Sequence, residues 1–257
     1  MLVATWNVNS VRARLERLVA WLSVRRPDIV LLQETKCIDE AFPRGPIEEL
    51  GYQIALHGQR TYNGVAILAK EPIEDVLRGF GDERYDAEAR VIAASIGEHI
   101  VVSVYVVNGQ HPGHPRYAYK LDWLGRLAHF LVERFPSGEK VIVGGDFNVT
   151  FDDRDVHDPA LWREKILCST KEREALRGVV AAGFVDALRA FDEQGGIYTW
   201  WDYYTRAFER GNKGLRIDHL LMSPSALERC TSVCVDVEVR GGPKPSDHAP
   251  LVATFRP

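Results

Sequence analysis

The stretch that most constrains the fold is residues 141–148, an apolar run that ends in Asp146, Phe147 and Asn148. A continuous run of β-branched and small residues predicts a strand that is buried on both faces. Because side chains alternate along an extended chain, we expect Asp146 and Asn148 on one face and Phe147 on the other. An Asx turn that closes the strand would use the same residues. The chain is therefore expected to build a covered sheet whose end presents a carboxylate and an amide.

Short apolar runs separated by turn residues recur along the chain. They predict strands at residues 2–6, 28–32, 52–57, 64–68, 73–77, 91–96, 100–107, 141–146, 215–222, 230–239 and 251–255. Helical spacing predicts helices at residues 11–25, 117–135 and 171–182, with Ser10 as the first N-cap and Gly183 as the last stop. Turns such as residues 62–64 are too short for a helical crossover. The pattern favours the α+β class, with two packed, mainly antiparallel sheets flanked by helices.

Length and composition predict one domain over residues 1–257. With 46% hydrophobic residues and no linker, the chain can bury one substantial core. No run is long enough to cross a membrane and the start lacks the pattern of a signal peptide, so we expect a cytoplasmic protein. Four irregularly spaced cysteines do not predict a disulfide framework or a zinc site. A net charge of -4 means that any nucleic-acid binding must come from a local patch or a bound cation.

Five apolar runs end in or carry polar side chains, and a sixth polar group precedes the last strand. They are Asn7 and Asn9, Glu34, Tyr105 and Asn108, Asp146 and Asn148, Asp218, and the Ser246-Asp247-His248 group that precedes the last strand. Charged residues are seldom buried unless they are paired or bound to a metal. A repeated pattern of this kind is explained more economically by one shared site than by independent accidents.

The residue types at these strand ends indicate two kinds of chemistry. Glu34, together with the side-chain amide of Asn7 or Asn9 and with Asp247, offers a set of oxygen ligands only. Such a set suits Mg²⁺ or Mn²⁺ and is poorly suited to zinc. His248 follows Asp247 directly, and Asp218 offers a further carboxylate. This pattern is typical of an imidazole that is oriented by a carboxylate and that exchanges a proton or binds a phosphate oxygen. The other histidines considered, His57, His99, His129 and His219, are interpreted as structural.

The ordered motifs resemble those of a known family. They are ATWNVNS, LLQETK, NGVAIL, EARVI, YAYK, GGDFNV, DVHDPALW, YTWWDY, LRIDHLL and KPSDHAPL. Together they resemble the exonuclease III family of apurinic/apyrimidinic endonucleases, within the DNase I-like endonuclease/exonuclease/phosphatase superfamily. The resemblance covers nearly the whole chain.

The family resemblance implies a fold and an activity. The fold would be a four-layer, DNase I-like α/β sandwich. The activity would be metal-assisted hydrolysis of the DNA backbone 5′ to an abasic site, which leaves a 3′-hydroxyl, together with 3′→5′ exonuclease and 3′-phosphatase or phosphodiesterase activity. The cofactor would be Mg²⁺, with Mn²⁺ as a substitute. The partner would be double-stranded DNA with abasic sites or blocked 3′ ends, bound by a monomer that does not associate with membranes.

The resemblance also assigns roles to the strand-end residues. Glu34 would be the main metal ligand, with Asn7 and Asp247 nearby. The implied catalytic residues are Tyr105, Asp146, Asn148, Asp218 and His248. Asp146 would orient or deprotonate the attacking water, while His248, paired with Asp218, would contact the scissile phosphate. Whether Asp146 or His248 is the general base stays open at this point.

Further positions match the family's substrate contacts. Trp200, Leu215 and Ile217 would line an apolar pocket for a flipped-out abasic sugar, although ordinary core packing would explain them as well. The phosphate-contacting rim would include Asn63, Arg90, Asn108, Tyr117, Lys120 and the basic turn at residues 206–216. Val107 replaces a proline that many family members have before Asn108.

Three alternative functions are compatible with parts of this pattern. One is an exodeoxyribonuclease or 3′-phosphatase of the same family with weak abasic-site activity. Another is a superfamily phosphodiesterase that acts on inositol phosphates, sphingomyelin or undamaged DNA. The third is a non-catalytic DNA-damage binding protein, which gives no reason to keep Glu34, Asp146 and His248 together.

Overall fold

The computed structural model describes residues 1–136 and 138–256. Its strands are β1 (Leu2–Asn7), β2 (Ile29–Gln33), β3 (Gln53–His57), β4 (Val65–Ala69), β5 (Glu74–Arg78), β6 (Val91–Ile96), β7 (His99–Tyr105), β8 (Lys140–Asp146), β9 (Val185–Asp186), β10 (Asp218–Met222), β11 (Cys230–Val235) and β12 (Leu251–Phe255). Its helices are α1 (Leu15–Arg25), α2 (Gly45–Glu48), α3 (Glu83–Asp86), α4 (Pro115–Arg134), α5 (Pro159–Trp162), α6 (Thr170–Ala181), α7 (Ala187–Phe191) and α8 (Pro224–Leu227).

The strands form two six-stranded sheets. The first sheet has the order β11-β12-β1-β2-β4-β3, and the second has the order β5-β6-β7-β8-β10-β9. Only the β1–β2 and β7–β8 pairs are parallel among the described ladders. The prediction of two mainly antiparallel sheets is confirmed.

Three apolar clusters hold the layers together. One lies between the sheets and includes Ile67, Ile142 and Leu220. A second packs α1 on the outer face of the first sheet, and a third packs α4 and α6 on the outer face of the second. Burial of both faces of both sheets gives the four-layer α/β sandwich that was predicted. Within the described ranges, no helix is both long enough and apolar enough to cross a membrane.

Several element ends differ from the prediction. The first helix begins at Leu15 and not at residue 11, because residues 11–14 form a turn in which the Ser10 hydroxyl oxygen accepts from the Ala13 N–H at 3.4 Å. The strand expected at residues 230–239 ends at Val235. The Asp236 carboxylate that follows accepts hydrogen bonds from two side chains of α1, which draws the chain out of the sheet.

Two glycines allow close packing directly below the end of β8. A Cβ atom on Gly144 would lie 2.7 Å from Leu31 Cδ1 and 2.8 Å from Leu220 Cδ2, within the core between the sheets. A Cβ atom on Gly145 would lie 1.9 Å from the Val104 carbonyl oxygen. Glycine is therefore required at both positions for the two sheets and the β7–β8 pair to approach this closely.

A buried ion cluster lies below the loops that follow β8. Arg216 is fully buried and donates two hydrogen bonds to Asp155, at 2.8 and 3.0 Å, and two to Asp186, at 3.0 and 2.7 Å. Its Nη1 also lies 3.1 Å from His219 Nδ1, while His219 Nε2 donates to the Val149 carbonyl at 2.7 Å. The prediction that the whole turn at residues 206–216 lies on the basic rim is therefore wrong for Arg216, whose charge is used by the two carboxylates.

This cluster should make stability depend on His219 in mild acid. Burial and the Arg216 charge lower the pKa of His219 to about 4. As the pH falls below about 6.5, His219 is therefore protonated in the unfolded chain before it is protonated in the folded protein. We expect the His219 contribution to the free energy of unfolding to fall by about 2 kcal/mol between pH 7 and pH 5.

Urea unfolding of wild type and His219→Gln at both pH values measures this contribution. Glutamine can still donate to Val149 but does not titrate, so its stability should fall less than that of wild type. The exposed His129→Gln variant serves as the control. An equal pH dependence in wild type and His219→Gln would contradict the assignment.

Candidate active site

Strand register brings three predicted site residues side by side. Asp146, the last residue of β8, pairs with Tyr105 of β7 on one side and with Asp218 of β10 on the other. In the other sheet, Asn7 ends β1 opposite the end of β2, and Glu34 follows directly after β2. The convergence that was predicted for these strand ends is therefore produced by the pairing of β1 with β2 and of β7 with β8 and β10.

The Asn7 side chain joins the two sheets at this edge. Its Nδ2 donates to Glu34 Oε1 at 2.8 Å and to Asp146 Oδ2 at 2.9 Å. Its Oδ1 accepts from the Asn9 backbone N–H at 3.0 Å, which fixes the orientation of the amide because a backbone N–H only donates. In this arrangement Asn7 holds two carboxylates and turns its oxygen away from them, so its predicted role as a metal ligand is not what the contacts favour.

The end of β8 closes in an Asx turn. The Asn148 backbone N–H donates to Asp146 Oδ1 at 2.9 Å, and Asn148 has a φ of 51°. The extended conformation therefore stops at Asp146, and the turn that was considered as an alternative is present. Asn148 donates through Nδ2 to the Val106 carbonyl at 3.0 Å and accepts from Asn108 Nδ2 at 3.1 Å. Asn148 is thereby fixed beside Asp146.

His248 is held between two carboxylates. Its Nδ1 lies 2.8 Å from Asp218 Oδ2, and its Nε2 lies 3.8 Å from Asp146 Oδ2. Burial lowers the pKa of His248, but the charges of Asp218 and Asp146 outweigh it and raise the pKa to about 10. The imidazole therefore carries a proton on both nitrogens at neutral pH.

The same surroundings weaken the acidity of Asp146. Burial raises its pKa to about 7, the positive charge of His248 opposes this, and the neighbouring carboxylates of Asp218 and Glu34 reinforce it. Asp218 Oδ1 is buried and has no hydrogen-bond partner among the described residues. Negative charge at this site is therefore only partly compensated by protein groups.

On the Glu34 side, a lysine that the sequence analysis did not select completes the polar cluster. Lys36 Nζ lies 2.6 Å from Glu34 Oε2 and 2.6 Å from Asn9 Oδ1. Asn9 Nδ2 in turn donates to Asp247 Oδ1 at 2.9 Å, and Trp200 Nε1 donates to Asp247 Oδ2 at 3.1 Å. Lys36 stands two residues after Glu34, and this spacing was the signal in the sequence that could have identified it.

The composition of the site fits a divalent cation. The site has two cations, Lys36 and protonated His248. They are outnumbered by four carboxylates, those of Glu34, Asp146, Asp218 and Asp247. Hard divalent ions prefer such oxygen ligands. Ligand atoms of Asp146, Asp218 and His248 lie within 4.8 Å of one another. A protonated imidazole cannot be a ligand, so the carboxylates on the Glu34 side are better suited to hold the ion.

Tyr105 lies in the same negative field. Burial raises the pKa of its hydroxyl well above the usual value, and the Glu34 carboxylate, which is hydrogen-bonded to it, adds to the shift. The guanidinium of Arg90 lies over the Tyr105 ring, 4.7 Å from its centroid. Tyr105 therefore remains a neutral hydroxyl that can donate a hydrogen bond.

Some predicted substrate contacts lie together beside this centre. Asn63, Arg90 and Asn108 line a pocket of about 270 Å³ next to Tyr105. The same pocket includes Arg116, which the sequence analysis did not select, and Glu88, which accepts from Arg90 at 2.9 Å and from Arg116 at 3.0 Å. These residues form a charged surface that continues from the cluster of carboxylates.

Two predicted rim residues lie below the surface instead. The Tyr117 hydroxyl lies 2.7 Å from Ser169 Oγ, and only 8% of the residue is exposed. Lys120 is 0% exposed, and its ammonium pairs with the equally buried Glu172. The prediction of a phosphate contact at the rim is therefore wrong for Lys120, whose ammonium is fully enclosed, and the Tyr117 hydroxyl is also used inside the protein.

The residues predicted to line the sugar pocket form an apolar cluster, and among the three only Trp200 is partly exposed to solvent. Leu215 and Ile217 are 0% and 2% exposed, and Trp200 is half-buried in front of them. Trp162 packs edge-on against Trp200, with ring centroids 6.5 Å apart and an interplanar angle of 88°. Trp162 was quoted within the DVHDPALW motif but was not selected, since its proximity to Trp200 depends on the fold.

Comparisons with known proteins agree with this geometry. The chain matches the Endonuclease/Exonuclease/phosphatase family over residues 4–248. It is 33% identical to exodeoxyribonuclease III of Haemophilus influenzae, with 98% of each chain covered.

Two proteins of known structure are similar over nearly their whole length. One is the 3′–5′ exonuclease NExo of Neisseria meningitidis, at 40% identity and a TM-score of 0.96, with 99% of each chain covered. NExo from Neisseria, here at 39% identity, also has a structure as a 3′ phosphatase bound to a product DNA hairpin. The other is an AP endonuclease from Archaeoglobus fulgidus, at 37% identity and a TM-score of 0.96, with 100% of each chain covered.

The family match spans most of the chain, including every strand of both sheets except β12 and the start of β1, and every strand-end residue described above. The exodeoxyribonuclease III relative is aligned over almost its full length. The four-layer DNase I-like sandwich and its acidic edge are the features that the resemblance led us to expect. The chain therefore belongs to the endonuclease/exonuclease/phosphatase family, as a hydrolase of the exonuclease III type.

Proposed function

We propose that this chain, acting as one domain and as a monomer, hydrolyses the backbone of double-stranded DNA 5′ to abasic sites and leaves a 3′-hydroxyl. The same site would remove blocking groups from 3′ ends. The observation that carries the proposal is the Asn7 amide, which holds Glu34 and Asp146 together beside the His248–Asp218 pair. The names of the relatives, an exodeoxyribonuclease III and an AP endonuclease, support this reaction class.

Asp146 is the group that activates water in this proposal. Its two oxygens are fixed by Asn7 and by the Asn148 N–H, so the carboxylate is held in one orientation. His248 cannot take a proton, because Asp218 accepts from its Nδ1 and its raised pKa keeps the ring protonated. A carboxylate whose pKa is raised to about 7 is a better proton acceptor than an ordinary aspartate. The structure therefore favours Asp146 over His248 as the base.

Three neutral or cationic groups would bind the phosphate. Protonated His248 presents Nε2 on the side of Asp146, the Tyr105 hydroxyl keeps its proton and could turn it from Glu34 to a phosphate oxygen, and the Asn148 amide is fixed beside Asp146. Donors that are already oriented stabilise the charge that develops on the phosphate oxygens without reorganisation. This assigns transition-state stabilisation to His248 and Tyr105 and leaves proton removal to Asp146.

The metal is assigned to the Glu34 side of the site. Glu34, which is linked to Asp247 through Lys36 and Asn9, would hold Mg²⁺ together with Asp247, with Mn²⁺ as a substitute. When bound, the ion neutralises charge on the phosphate and on the leaving oxygen. The side chain of Asn7 would keep Glu34 in place while the ion binds.

A second candidate function is supported by the sugar pocket. Leu215 and Ile217 are covered by neighbouring side chains, so these two residues present no open surface to a flipped-out sugar. This favours activity at 3′ ends, where the nucleotide is reached without flipping, and agrees with the name of the NExo relative. The balance between endonuclease and 3′-end activity would depend on movement of the Trp200 and Trp162 side chains.

Replacement of Asp146 tests the proposed chemistry. We expect Asp146→Asn to lower kcat on a duplex with one abasic-site analogue by about 10²–10⁴-fold, because the amide cannot accept the proton. Gel-resolved incision in Mg²⁺ measures the rate, and chelation should abolish it. Asp75→Asn, on the exposed edge strand β5, is the matched control and should keep full activity. A folded Asp146→Asn enzyme that cuts at the wild-type rate would exclude Asp146 as the base.

A substrate panel separates the two candidate functions. Duplexes that carry an abasic-site analogue, a recessed 3′ end or a 3′-phosphate are compared with an intact duplex at equal concentration. We expect abasic and 3′-blocked duplexes to be processed and intact duplex to be spared, because an internal undamaged nucleotide does not fit behind Trp200. Cutting of intact and damaged duplex at equal rates would instead indicate a general nuclease.

Metal binding can be measured without turnover. Isothermal titration should show Mg²⁺ binding to wild type that is weakened at least about tenfold in Glu34→Gln, since the amide removes the charge that attracts the ion. The remote, exposed Glu49→Gln variant should bind like wild type. Unchanged affinity in Glu34→Gln would place the metal elsewhere.

A further inference from the structure

Lys120 occupies an unusual position for a lysine. Its side chain extends from α4 and is completely buried. The ammonium donates to the Asn148 carbonyl at 2.6 Å and to the Asn108 carbonyl at 3.0 Å, and it also contacts Glu172 Oε1. These contacts use all three of its donors, so none is left for DNA.

The two carbonyl groups belong to the loops that present the phosphate-binding amides. Asn108 lies in the loop after β7, and Asn148 lies in the turn after β8. The Asn108 side chain donates to Asn148 Oδ1 at 3.1 Å, and the Asn148 N–H donates to Asp146 Oδ1 at 2.9 Å. Lys120 is therefore one residue removed from the carboxylate that activates water. The carbonyl that Lys120 binds and the N–H that Asp146 accepts from lie on either side of the Asn148 Cα, so a displacement of this carbonyl would change the orientation of Asp146.

The other end of the ion pair is anchored in rigid structure. Glu172 accepts from the Ser169 N–H at 3.2 Å, from Ser169 Oγ at 2.6 Å and from the Leu167 N–H at 3.1 Å. With Ser169 it forms the capping box that begins α6. The Tyr117 hydroxyl of α4 also contacts Ser169, at 2.7 Å. The ammonium is thus held by α4 on one side and by the start of α6 on the other.

Stability alone does not account for this arrangement. A buried ion pair is often replaced by apolar residues without loss of stability, because desolvation of the charges offsets their attraction. An apolar side chain at position 120 could not hold the Asn108 and Asn148 carbonyls. Those two bonds, and not the ion pair, are what require a lysine here.

We propose that Lys120 is a positioning residue, which fixes the Asn108 and Asn148 peptides and through them orients the amides and Asp146 toward the scissile phosphate. It does so without contacting DNA. This role rests on the proposed function of the site. Glu172 compensates the charge of the ammonium, while the two carbonyls hold it in place.

Two single variants separate the carbonyl bonds from the ion pair. Glu172→Gln keeps Lys120 on both carbonyls, so kcat should stay within about threefold of wild type at a temperature well below Tm. Lys120→Met removes the bonds, so kcat should fall about 10²-fold while KM changes less than about threefold. A loss of kcat in Glu172→Gln as large as that in Lys120→Met would overturn the proposal.

The double variant Lys120→Met with Glu172→Gln removes both charges and tests whether folding explains the effect. We expect its Tm to recover toward wild type relative to Lys120→Met, because no unpaired charge remains buried. Its kcat should stay about 10²-fold low, since the two carbonyls still lack their donor. Recovery of kcat together with Tm would show that Lys120 acts only on stability.

Amide hydrogen exchange gives a readout that does not depend on any substrate. In the double variant, the Asn148 N–H should exchange at least about tenfold faster than in wild type, while amides at the centre of β8 keep their protection. Unchanged exchange at Asn148 would contradict the positioning role. If wild type processes none of the DNA substrates, the proposed function fails, and the exchange measurement still decides the role of Lys120.

Discussion

The contact on which the site depends is the pair of hydrogen bonds from the Asn7 amide to Glu34 and Asp146. These carboxylates come from different sheets, so their oxygens meet only if the sheets pack at the correct distance and in the correct register. Gly144 permits that distance, since any side chain there would enter the space of Leu31 in the opposite sheet. The sandwich is therefore the device that brings together groups distant in sequence.

Charge balance explains how an acidic protein can act on an acidic substrate. The carboxylates at the edge of the sandwich raise the pKa of His248 to about 10 and so create a cation directed at the reaction centre. The Lys36 ammonium neutralises part of the negative charge of Glu34. The remaining negative charge is the attraction for a divalent ion, and in the adjoining pocket the two arginines, Arg90 and Arg116, outnumber the one carboxylate that they share, Glu88. A net charge of -4 therefore does not describe the local field that DNA would meet.

The sequence was most informative where a local pattern determines the structure. Apolar runs that end in polar residues predicted the strand ends, and the Asp146–Asn148 spacing was already compatible with the Asx turn that is present. Burial of charged residues was not predictable in this way. Lys120 and Arg216 look like surface cations in sequence, and they are buried because their partners come from distant segments. The orientation of the Asn7 amide likewise depends on tertiary contacts and carries no local signal.

The location of the bound metal tests the central claim most directly. Anomalous diffraction from a crystal of this protein with Mn²⁺ would identify the ion independently of activity. We expect a peak at the Glu34 carboxylate, on the side of Asn7 that faces Asp146, with His248 remaining bonded to Asp218. A peak that is held by Asp146, Asp218 and His248 with none at Glu34 would contradict it, because His248 would then have to be a neutral ligand and not a cation.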